Sequence, residues 1–98
     1  MLVYAVRTEF SDGSERDDYL DWLRGGHVAA VVAGGALTGE VTILDDGSVE
    51  SRYTFASREA FADYEAGPAV ALRADGAGRF PGARFARTVG ERILSAEL

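Results

Sequence analysis

The chain has 98 residues, 16 acidic and 10 basic side chains, a net charge of −6, one histidine and no cysteine. That length fits one domain, residues 1–98, which buries somewhat over ~60% of its unfolded surface; association with a second copy would add useful burial to so modest a core. The acidic balance argues against a nucleic-acid partner, which needs a basic footprint, and against an anionic membrane surface. The lack of cysteine excludes a disulfide framework and a thiolate metal site.

The opening "MLVYAVRTEF" has neither the basic n-region nor the sustained apolar h-region of a signal peptide. The longest apolar run, Val28 to Ala33, is far short of the ~20 residues needed to span a bilayer. A cytoplasmic chain is expected. "LVYAVRTEF" reads as a strand apolar on both faces, with Leu2, Tyr4 and Val6 on one side and Val3 and Ala5 on the other. Such a strand is expected at the centre of its sheet. After the turn "SDGS", Ser14 is placed to cap a helix, with Asp17 three residues on.

That helix, "ERDDYLDWLRGGHVAAVV", puts Tyr19, Leu20, Leu23, His27, Ala30 and Val31 on one arc of roughly 120°. Gly25 and Gly26 each cost about 1 kcal/mol relative to Ala in a helix, which predicts a kink or an early stop. Gly34-Gly35 reads as the C-cap. "LTGEVTIL" and "SVESRYTFA" flank "DDGS", where Asp46-Gly47 predicts a hairpin with a type I′ turn. Ser57 caps a second helix, "REAFADYEA", interrupted at Gly67-Pro68; Pro68 opens a fresh turn through "AVALRADG". A last strand starts near Ala83, with Phe85 and Val89 on one face.

The order is strand, helix, strand, strand, helix, strand: an α+β, ferredoxin-like β-α-β-β-α-β pattern, with a four-stranded antiparallel sheet and two helices on one face. The other face stays open. Because the first strand is apolar on both sides, this face is expected to be apolar and to pair with a second copy in a face-to-face homodimer.

Several stretches carry a family resemblance: "VYAVRTEF", Trp22 and His27 with four residues between them, "YTFAS", "DYEAGPAVALR" and "RFPGARFART". In order and spacing, over nearly the whole chain, they resemble the dimeric α+β barrel superfamily. More narrowly, the chain is similar to a small bacterial branch of it classed as a domain of unknown function. The chain departs from that branch at Gly25-Gly26, where relatives tend to carry longer or charged side chains. It departs again at Val28-Ala29, where several have a proline soon after the histidine. The resemblance implies two ferredoxin-like subunits packed sheet to sheet, with a cleft between sheet and helices. In other branches that cleft hosts cofactor-independent oxidation of aromatic polyketides, small-ring isomerisation or haem chemistry, none of which transfers on fold alone.

His27 is the candidate catalytic residue, a general acid/base by virtue of its near-neutral pKa, with Glu40 or Glu65 as a carboxylate to orient it. The preferred reading is structural: a partly buried imidazole bonded to a backbone carbonyl, since its arc is otherwise apolar. Trp22, Tyr53 and Tyr64 are the candidate ligand-binding residues; core packing is preferred for most of the other aromatic side chains. Arg73, Arg79, Arg84, Arg87 and Arg92 gather in the C-terminal third. They read as a solvated face with ion pairs rather than an anion site. No metal is expected, as one histidine and no cysteine leave only unspaced carboxylates. No cofactor is expected either, and no phosphate loop or nucleophile elbow occurs.

The function expected is a small homodimer binding a small, partly apolar organic molecule in that cleft. The alternatives are a cofactor-independent monooxygenase or isomerase using His27, and a structural or regulatory dimer without a ligand.

Overall fold

The computed structural model describes residues 1–97. Strand β1 (Leu2–Glu9) is followed by helix α1 (Gly13–Trp22), a wide turn over Leu23–His27 and helix α2 (Val28–Ala33). Strands β2 (Thr38–Ile43) and β3 (Val49–Phe55) come next, then helices α3 (Arg58–Ala66) and α4 (Pro68–Arg79) and strand β4 (Arg84–Glu91). The sheet runs β2-β3-β1-β4 and every pairing is antiparallel. This is the β-α-β-β-α-β arrangement, with the apolar β1 in the interior as expected. No helix among the described residues is long and apolar enough to cross a membrane.

Each helical connection is broken in two, and each break has a local cause. Pro68 cannot donate a backbone N–H, so it ends the ladder of α3 and starts α4. The break at the other connection is a π-turn, in which the Val28 N–H reaches back to the Leu23 carbonyl. Inside it Gly26 takes φ 147° and ψ −15°, a conformation that a side chain strains. The glycine pair thus makes a kink rather than a stop, and the chain is helical again from Val28.

Two local expectations are corrected. The cap of α1 is Asp12, whose Oδ1 accepts from the Glu15 N–H at 2.9 Å; Ser14 lies inside the helix. The helix begins one residue earlier than Ser14 because Asp12, at φ −153°, already has the extended backbone that a cap needs. The "DDGS" hairpin is not a type I′ turn, since Gly47 has φ 88° and Asp46 does not adopt positive φ. Gly47 N–H bonds to the Leu44 carbonyl at 2.9 Å, and Leu44 N–H to the Ser48 carbonyl at 2.8 Å. That is a three-residue loop with its glycine last. The Asp46 carboxylate faces back, accepting from the Ser48 N–H and from Arg7.

The helices cover the sheet face carrying Leu2, Tyr4, Val6 and Thr8 of β1 and Val49, Ser51, Tyr53 and Phe55 of β3. Two apolar clusters form beneath them. One packs Tyr4, Phe55, Phe61 and Tyr64 with ring centroids 5.1–6.3 Å apart. The other gathers around Tyr19 and Phe80, 5.2 Å apart edge-on. Val28 and Phe85 touch both.

The open face is more polar than β1 alone implies. Across it Val3 aligns with Thr54 and Gly90, Ala5 with Arg52 and Thr88, and Arg7 with Glu50 and Ala86. Its apolar part is a narrow strip of small side chains, because the neighbouring strands place charged and hydroxyl groups beside it. The large exposed apolar side chains Val41, Ile43 and Val89 lie on the other face, at its edges.

Candidate functional site

The two clusters do not close completely where they meet. A void of about 30 Å³ remains between the sheet and the helices, lined among others by Tyr4, Tyr53, Tyr64, Trp22 and His27. Trp22, Tyr53 and Tyr64, singled out with His27 from the sequence, therefore converge on one cavity. The π-turn produces this convergence: it brings the His27 ring under α1 to stack on Trp22 at 3.9 Å and 21°. Gly76 on α4 lets the indole lie close, since a Cβ there would stand 3.0 Å from Trp22 Cη2. Trp22, His27 and Leu72 also line a surface concavity of about 390 Å³, so they form the partition between the void and solvent.

His27 does not behave as the structural reading expects. Its Nδ1 is buried and has no hydrogen-bond partner. Burial pushes its pKa down, and the charge of Asp75 offsets this only in part. Asp75 is thus the carboxylate that acts on His27, in place of Glu40 or Glu65. It accepts from Trp22 Nε1 at 3.2 Å and from Arg79 at 2.8 Å, and those bonds hold its own pKa low. Glu40 faces away from the cavity, opposite Arg52 on the open face, and Glu65 pairs with Arg73 at 3.2 Å.

Three further polar atoms on the cavity wall are buried and unpartnered: Ser51 Oγ, Tyr53 Oη and Arg73 Nε. Burial raises the Tyr53 pKa, an effect that the neighbouring Ser51 hydroxyl reduces. Burial first, and then the Tyr4 hydroxyl, push Tyr64 up to about 12. Both tyrosines are therefore neutral phenols at any physiological pH. The Tyr19 hydroxyl, by contrast, accepts from buried Thr8 Oγ1 at 3.1 Å.

The arginines divide into two groups. Arg79 and Arg84 form the expected exposed ion pairs, with Asp75 and Glu9. Arg73 and Arg87 instead reach the cavity, and both donate to the Tyr4 hydroxyl, at 3.1 and 3.2 Å. Tyr4 and Ser51 were not among the candidate site residues, and Arg73 and Arg87 were named only with the arginines read as a solvated face, yet the periodicities put three of these four on inward stripes. Ser51 shares its strand parity with Val49 and Tyr53, Arg87 with Phe85 and Val89, and Arg73 lies at helical spacing from Ala69 and Gly76. A polar side chain on an inward stripe marks a polar cavity. No group of three or more side chains able to hold a metal occurs among the described residues.

No protein-family model and no curated protein matches the chain. Solved structures do. A dimeric ferredoxin-like protein from an uncultured marine organism is 15% identical, with 97% of each chain covered and a TM-score of 0.77. An MhuD mutant with two manganese protoporphyrin IX molecules bound per active site is 22% identical, with 99% of each chain covered and a TM-score of 0.73. The ActVA-Orf6 monooxygenase of Streptomyces coelicolor, in complex with nanaomycin D, is 16% identical over 98% of this chain and 92% of that one, with a TM-score of 0.69. At such identities the likeness is one of fold. The chain has the ferredoxin-like fold of these dimeric ferredoxin-like proteins and monooxygenase-type α+β barrels.

Proposed function

We propose that this protein is a homodimer that holds a small, partly apolar organic molecule in the cavity beneath Trp22 and His27. One observation carries the reading: four residues that line the same void, His27, Ser51, Tyr53 and Arg73, each hold a buried polar atom without a partner among the described residues, Nδ1, Oγ, Oη and Nε. Native interiors leave only a few such atoms, and each leaves part of its desolvation uncompensated. Their convergence fits a wall built to face water or a ligand. A void of about 30 Å³ accepts one or two waters. A ring needs this space to widen, and the Trp22–His27 pair, which also lines the outer concavity, is a part of the wall with free volume behind it. A macrocycle such as a porphyrin fits poorly in the void as it stands, because the void would have to enlarge many-fold.

The homodimer draws support from the modest core, the uncovered sheet face and fold neighbours described as dimeric. Native mass spectrometry of gently purified protein tests both parts together. The expected result is a dimer carrying extra mass from a small molecule. A monomer at micromolar concentration contradicts the assembly. A bare dimer that also takes up no small aromatic compound contradicts the binding.

A cofactor-independent enzyme is the second reading, and His27 is the observation that favours it. An imidazole kept neutral by burial, with a buried Nδ1 that has no hydrogen-bond partner, is able to accept a proton from a bound molecule. Among the described residues no carboxylate hydrogen-bonds the ring to orient it, which places this reading second. His27→Gln separates the two: loss of turnover with retained binding supports the enzyme, and no turnover in the wild type supports binding alone.

A further inference from the structure

One corner of the cavity has a charge pattern that binding of a partly apolar molecule does not by itself explain. A phenol oxygen offers two lone pairs and one proton. At Tyr4 the two guanidinium donors, Arg73 Nη2 at 3.1 Å and Arg87 Nε at 3.2 Å, take both lone pairs. The hydroxyl is left able only to donate. Arg73 is balanced by Glu65 at 3.2 Å, but Arg87 has no carboxylate within 4 Å among the described residues. The corner therefore carries one guanidinium, Arg87, without a carboxylate partner, on a side chain exposed at the cavity's rim.

The rest of the wall agrees with this. No Asp or Glu lines the cavity. Arg73 Nε carries a buried proton with nothing to receive it, and Tyr53, 2% exposed, has a hydroxyl proton free to donate. Two guanidinium groups that converge on one phenol place their donors side by side, an arrangement that an anion set between them can bridge. Guanidinium forks also match planar oxyanions better than any other side chain does. The remaining walls, Tyr64 and Trp22 among them, are aromatic faces suited to a flat ring.

We propose that Tyr4, Arg73 and Arg87 form an oxyanion subsite, and that the molecule held in the cavity is a small arene bearing an anionic oxygen, a carboxylate or a phenolate. This deepens the binding reading above and rests on it. Arg87 and Arg73 supply the charge, the Tyr4 hydroxyl donates to the same oxygen, and the ring lies on the aromatic side of the cavity.

The test is a titration of the intact protein with benzoate, with its neutral isostere benzamide, and with 4-nitrophenol on either side of its own ionisation. Binding is followed by protein NMR that includes the arginine Nε–H signals. The expected result is that benzoate or the nitrophenolate binds at least about tenfold more tightly than its neutral counterpart, since a charge-assisted bond is roughly twice as strong as a neutral one. The Arg87 and Arg73 Nε–H signals move with it. Whichever anion shows the larger preference identifies the oxygen as carboxylate or phenolate. Arg87→Gln collapses the anion-to-neutral ratio towards one; should that variant fail to fold, the Nε–H shifts in the wild type decide alone. Equal affinities for anion and neutral, or a preference that survives Arg87→Gln, overturn the subsite and leave the binding reading standing. If no probe in either charge state moves a cavity signal, both fall.

Discussion

Two tyrosine hydroxyls a short distance apart in the core are predicted to respond with opposite signs to the same chemical change. Tyr53→Phe removes an oxygen that is buried and has no partner. Keeping such a hydroxyl out of water costs about 1–3 kcal/mol, of which a water in the void returns a large part. The variant is therefore expected to be between unchanged and about 1 kcal/mol more stable. Tyr19→Phe removes an oxygen that accepts from Thr8 Oγ1 at 3.1 Å and strands a hydroxyl that is 0% exposed. Its expected cost is about 1–2 kcal/mol. For a domain of this size each kcal/mol moves Tm by roughly 4–8 °C, so the two variants are predicted to melt about 10 °C apart. Thermal and urea unfolding, with all three proteins at one concentration because assembly shifts Tm, provide the comparison. If Tyr53→Phe is as destabilising as Tyr19→Phe, the Tyr53 hydroxyl has a structural partner and the argument from orphaned donors collapses.

The two adjacent glycines of the π-turn give a second sign contrast. Gly26→Ala forces a side chain to φ 147° and is expected to cost about 1–3 kcal/mol. Gly25→Ala meets no atom within 4 Å in an otherwise helical backbone and is expected to stabilise by about 0.5–1 kcal/mol. Urea midpoints decide; similar effects at both positions would mean that Gly26 does not hold the conformation described. The pH dependence follows from His27, whose folded pKa lies below its unfolded value of 6.5 because burial disfavours the charge. Between those two values the unfolded chain binds more protons, so stability rises with pH there. The contribution is complete above 6.5 and declines as pH falls towards the folded value. Urea midpoints at pH 7.5 and 5.5 should drop more for the wild type than for His27→Gln, and an equal drop would contradict the burial of His27.

The fold was legible because each of its elements has a simple periodicity. The doubly apolar β1, the Ser57 cap and the Gly67-Pro68 break all follow from local backbone chemistry, and all three are found. Asp12 was passed over as a cap because Ser14 offers the same chemistry two residues later, and only the backbone angle separates them. Trp22, His27, Tyr53 and Tyr64 could be named, whereas their convergence depends on the π-turn, a conformation that helical spacing cannot express. Arg73 and Arg87 were noted but read as part of a solvated face, for a different reason. They meet at Tyr4 from positions 69 and 83 residues away, and no local pattern contains that distance. The open face was misjudged because the apolar outer side of β1 is diluted by Arg52, Glu50 and Thr88 on its neighbours.

The central claim, that the cavity under Trp22 and His27 is where this protein holds a small molecule, has a built-in reporter. Trp22 is the only tryptophan in the chain, so a single indole N–H signal in a ¹H–¹⁵N spectrum reports on the cavity cover. A screen of small aromatic fragments should give hits that shift the Trp22 indole, the Gly25 and Gly26 amides and the Tyr53 amide together, with Thr88 on the open face undisturbed. Hits that gather on the open face around Val3 and Thr88 while the Trp22 signal stays still would contradict it.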